Sequence, residues 1–100
     1  MNAADAVQAL ELACHRALTL PQDDMSRTML LEALACLKAT PLASFPSKVI
    51  HLVEQSREQA DALSDRILAS KNLSDPSIDR GIKAVCDTLG SLAAAMRPAV

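Results

Sequence analysis

The chain has no tryptophan, no tyrosine and a single phenylalanine, Phe45. It therefore offers no aromatic platform on which bases stack, and its core has to be aliphatic. Only two of its 100 residues are glycine, Gly81 and Gly90, which excludes a glycine-rich phosphate loop. No GxSxG elbow and no HExxH helix occur either. The three cysteines, Cys14, Cys36 and Cys86, are odd in number and far apart in sequence. That argues against a disulfide scaffold and predicts reduced, mostly buried thiols in a cytoplasmic protein. The first residues carry Asp5 and Glu11 with no basic stretch, so a secretory signal is not expected there. No apolar run approaches the roughly 18 residues of a membrane span, so no membrane partner is expected.

A strong excess of one charge sign is missing too. Ten lysines and arginines are scattered along the chain, and the net charge is only −2. Without a basic block or stripe, nucleic acid is not expected as a partner.

What remains is half hydrophobic and 22% charged, too apolar for a disordered chain. Alanine and leucine make about a third of it, and both are strong helix formers. Ile78, Ile82, Val85, Leu89, Leu92 and Met96 are spaced 4, 3, 4, 3, 4, a helical stripe. Punctuation predicts four helices in one domain, residues 1–100. The first runs from about Ala3 to Thr19, with Asn2 as N-cap and Pro21 beyond its end. The second runs from about Asp24 to Ala39, capped by Asp23 or Asp24 and stopped by Thr40-Pro41. The third is expected from about Pro46 to Ser70, with Ser44 as its cap. The fourth has Ser74 or Asp75 as cap and Pro76 in its first turn, and ends after Arg97 at Pro98.

The expected fold is all-α: a small antiparallel four-helix bundle with a long hairpin of the third and fourth helices. A third helix of ~25 residues would be ~37 Å long and a first helix ~25 Å. The second hairpin should then overhang the first. Either the connector Pro41–Pro46, with Phe45 as plug, or a second copy of the chain would cover the overhang.

Several residues stand off the expected pattern. Leu12 and Leu31 fall on the polar stripes of the first two helices, which suggests an interface. Met25 and Met29, with Cys36, edge the second helix as core filler or as an adaptable binding surface. Ser56 and Ala60 sit on the seam of the third helix, as a thin core or as a polar layer for a partner. Gly90 lies beside the stripe of the fourth helix and is expected where another backbone approaches. On that reading Gly90→Leu would destabilise far more than Gly90→Ala.

Chemistry is sparse. Glu11 and His15 share a face of the first helix, and His51 and Glu54 share one of the third. They read better as solvated hydrogen-bonding pairs than as metal ligands. The reading is a non-enzymatic protein–protein interaction module without cofactor or metal: an adaptor, anti-activator, chaperone or immunity-type inhibitor. Its partner would be another protein and also a second copy, as a homodimer. The alternatives are a phosphotransfer or metal-binding protein using His51 or the two Glu/His pairs, and a structural subunit of a larger assembly. With charge so dispersed, sub-micromolar binding to DNA or RNA should be absent at physiological salt. Fluorescence anisotropy with labelled oligonucleotides checks this, and a tight complex with a steep salt slope would refute it.

Overall fold

In a computed structural model, which describes residues 2–70 and 73–96, four helices and no strand are found among the described residues. Helix α1 spans Ala3–Thr19, and the Asn2 side chain accepts a hydrogen bond from the Asp5 amide at 2.9 Å. That satisfies one of the free amides of its first turn. Helix α2 spans Asp24–Ala39. Asp23 holds its N-cap position without a side-chain capping bond. Its Oδ2 instead accepts from the Arg16 guanidinium at 3.0 Å and from Ser26 Oγ at 3.2 Å.

The third helix departs from expectation. Helix α3 spans Ile50–Ala69, and Ser44 does not cap it. Pro41 and Pro46, with φ of −61° and −57°, each introduce a 3-10 turn, Leu42–Ser44 and Ser47–Val49. The Val49 amide bonds to Pro46 O at 3.0 Å, an i to i−3 closure that delays the α-helix by a turn. At 20 residues α3 is therefore about 30 Å long, not ~37 Å.

Helix α4 spans Pro76–Met96. Asp75 Oδ1 accepts from both the amide and the hydroxyl of Ser77 at 2.8 Å, which caps the helix and depresses the Asp75 carboxyl pKa. The expected end at Arg97–Pro98 and the Lys71–Asn72 part of the last loop lie outside the described residues.

The helices alternate in direction, each packed on its chain neighbour, with α1 closing against α4. Among the described residues, twenty-three hydrophobic ones are buried. The α4 stripe, with Leu10, Leu30, Leu34, Leu37, Leu63 and Ile67, fills the centre. Packing between α2 and α3 is the loosest of the four, and cations clasp it. Arg27 donates to Ile67 O at 3.1 Å at the end of α3. Arg57 donates to Thr40 O at the end of α2, and Lys38 pairs with Asp61 at 3.0 Å. Guanidinium groups at helix C-termini also complement the dipole.

Both ends of the bundle are covered. Phe45, 5% exposed, plugs one end as expected. At the other, buried Leu73 donates its amide to Pro21 O at 3.0 Å, tying the α3–α4 loop to the α1–α2 loop. Helices α3 and α4, at 20 and 21 residues, still outreach α1 and α2, at 17 and 16, and buried Phe45 and Leu73 cover that extra length from within the chain.

The two glycines exchange roles. A Cβ at Gly90 would meet nothing within 4 Å, so no other part of the described chain approaches it. A Cβ at Gly81 would stand 3.0 Å from Leu63 Cδ1, so Gly81 is where α3 and α4 come close. Gly90→Ala should therefore stabilise by about 0.5–1 kcal/mol through helix propensity. Gly81→Leu should cost about 1–3 kcal/mol through overpacking. Urea denaturation measures both, and a loss of stability in Gly90→Ala would contradict the open site.

Candidate interaction surface

Among the described residues, four of the five large hydrophobic side chains left exposed belong to α1, α2 or the turn between them: Leu12, Leu20, Met25 and Met29. The fifth is Leu68 on α3. Leu12 is 61% exposed on the outer side of α1, since at roughly 100° per residue it stands about half a turn round the helix from the buried Leu10. A groove runs along each side of that helix.

The larger groove, about 540 Å³, lies between α1 and the end of α4. Val7, Leu12, Ala93 and Met96 give it apolar walls, while Gln8, Glu11 and His15 make its polar edge. Small Ala93 stands where a larger side chain would fill the space. The smaller groove, about 290 Å³, lies between α1 and α2, with Ala9, Ala13 and Ala33 beside Met29, Glu32 and Cys36. Alanines facing alanines leave a trough there for the same reason.

Electrostatics is sharpest just below the larger groove. The thiols of Cys14 on α1 and Cys86 on α4 face one another across the helix interface. Burial pushes the Cys14 thiol far above its ordinary range, and Cys86 and Glu11 add to the shift. Cys86 is raised as well, again first by burial, with Glu11 and Asp87 adding. Such thiols stay protonated and are poor nucleophiles. No disulfide joins any of the three cysteines. Near the α1–α2 turn, the Arg16 hydrogen bond is the main cause of a depressed Asp23 carboxyl pKa.

The residues singled out by sequence divide cleanly. Leu12, Met25 and Met29 are on the surface, and Gly90 is exposed on α4. Leu31 is half-buried and packs on the core, because its side of α2 turns toward α3. Ser56 and Ala60 are fully buried within the bundle, so they present nothing to a partner. Ser56 Oγ donates to Leu52 O at 2.8 Å, which satisfies the hydroxyl inside its own helix. His51 and Glu54 are exposed on α3, and His15 is exposed on α1. Among the described residues no three metal-ligating side chains come together, and no helix is long and apolar enough to cross a membrane.

The sequence reading missed Val7, Glu11, Ala93 and Met96 as groove residues. Their helical faces were readable, but which helices would be neighbours was not. No family model, curated protein or solved structure matches the chain.

At neutral pH Cys14 should resist iodoacetamide in the folded protein and react once urea unfolds it. Intact-mass spectrometry follows the labelling, and rapid alkylation of folded Cys14 would show that α1 and α4 part easily. The thiols hold their protons to higher pH folded than unfolded. Their contribution is therefore complete below the ordinary thiol pKa of about 8.5 and is lost as pH rises above it. The urea midpoint should fall over that range, and fall less in Cys14→Ala.

Proposed function

We propose that the chain is a non-enzymatic, cytoplasmic interaction module that binds another protein through the outer surface of α1. The observation that carries the reading is Leu12, 61% exposed at the rim of an apolar groove. Leaving a leucine in water forgoes about 1.5–3 kcal/mol that burial at an interface recovers. The groove beside it gives an incoming side chain a place to be buried, which an isolated surface leucine lacks. Three cysteines without a disulfide agree with a reducing compartment. An adaptor, anti-activator, chaperone or inhibitor would each use such a surface.

Self-association is the second reading. It is favoured by the company Leu12 keeps, since Leu20, Met25 and Met29 are exposed on the same helical hairpin. A two-fold axis through that face would set each copy's methionines against the other's trough.

A photo-reactive amino acid in place of Leu12 tests the first reading in extracts of the native source. Cross-links to a defined protein are expected, and they should be competed by excess wild type but not by Leu12→Glu. A competitor carrying Leu68→Glu should act like wild type. Equal competition by Leu12→Glu would refute a role for this surface. Light scattering across a concentration series tests the second reading, with Met25→Glu expected to shift any dimer toward monomer.

A further inference from the structure

Two features of the α1–α4 groove remain without a reason inside the chain. The first is Gly90. It lies on the same flank of α4 as Cys86, which meets α1, and Ala93, which lines the groove. Glycine in a helix interior is unfavourable relative to alanine. At Gly81 close approach by Leu63 accounts for it, whereas at Gly90 nothing lies within 4 Å. The α4 backbone is thus bare beside the groove. The second is charge. Glu11 edges the groove and its field reaches both Cys14 and Cys86, and Asp87 acts on Cys86 from the α4 side. No lysine or arginine is among the described residues lining the groove. Among the described residues, Lys83 of α4 pairs with Asp79 at 2.9 Å and Arg16 of α1 with Asp23 at 3.0 Å.

An apolar channel, a negative edge and a bare stretch of helix backbone fit one kind of occupant. We propose that the groove receives a basic amphipathic helix of another protein. Its apolar face lies on Val7, Leu12, Ala93 and Met96, a lysine or arginine meets Glu11, and its backbone passes over Gly90. Helix-in-groove docking uses anchors at i, i+3, i+4 and i+7. Small residues at the crossing allow close approach of the two helices. A second copy of the chain fits less well, because a two-fold axis at the groove would bring two Glu11 side chains together. This inference rests on the interaction reading of α1 and adds the chemistry of the partner.

The test uses the full chain and two synthetic amphipathic peptides with the same leucine pattern, one with lysine at its polar positions and one with glutamate. Isothermal titration should show binding of the lysine peptide and none of the glutamate peptide. Leu12→Glu gives the decisive sign. If attraction were only between opposite net charges, the added carboxylate would tighten the complex. Seating in the groove predicts at least about tenfold weaker binding, since tenfold corresponds to about 1.4 kcal/mol. Gly90→Leu should also weaken binding about tenfold or more while its helical circular dichroism stays that of wild type. Leu68→Glu, on α3, should not weaken it.

Absence of lysine-peptide binding, equal binding of both peptides, or unchanged or tighter binding by Leu12→Glu would each overturn the proposal. So would binding seen only after residues 97–100 are removed, which would make the chain's own end the occupant. A peptide-free dimer that Leu12→Glu breaks would make it a second copy. If the peptides fail while cross-linking from position 12 succeeds, the interaction reading stands and only the partner's chemistry falls.

Discussion

Small side chains on the inner face of α1 are the constraint on which the surface depends. Ala3, Ala6, Ala13, Ala17 and Cys14 are buried there, and only Val7 and Leu10 add bulk. A helix with so thin an inner face must sit close to its neighbours to exclude water. Its flanks then offer little to fill the angles between round helices. Ala9, Ala13 and Ala33 line one side, Val7 and Ala93 line the other, and a groove opens at each. Larger residues at those positions would close the grooves and push α1 away from the bundle. The aliphatic composition and the two grooves therefore share one cause.

The opposite side of the molecule is joined in another way. Between α2 and α3, Arg27 and Arg57 each reach from one helix to the carbonyl end of the other, and Lys38 meets Asp61. These contacts fix the antiparallel arrangement through direction more than through bulk. Charge-assisted hydrogen bonds to backbone carbonyls demand a particular geometry, whereas aliphatic packing tolerates sliding. Half-buried Arg27 and Arg57 also lay their stems along this thinly packed side.

The parts of the fold legible in sequence were those set by local chemistry. Asn2, Asp75 and Pro76 mark helix starts because capping and proline geometry act within one turn. The α4 stripe is equally plain, and all its members but Met96 are buried to within 1%. Failures arose where a neighbour decides. Ser56 and Ala60 fall on a seam, and sequence alone does not say whether the chain's own helices or a partner occupy it. Leu31 looks outward on a two-stripe projection, yet its flank of α2 is the one turned toward α3. Gly81 and Gly90 are alike in sequence, and only the position of Leu63 tells them apart. Pro46 misled because proline suits the first turn of an α-helix and of a 3-10 turn alike.

The larger groove is built from the first helix and the last. Cys14 and Cys86 mark the interface beneath it, and every residue between them belongs to the chain that must be closed into a loop before they meet. Contacts so distant in sequence form late, after the local hairpins α1–α2 and α3–α4, because loop closure has to precede the gain from packing. A chain still emerging from the ribosome has α1 long before it has α4. Until α4 arrives, Leu12 projects from a helix with one wall of its groove missing. The complete groove therefore exists only once folding has finished, and any ligand that required both of its walls would discriminate against every incomplete chain.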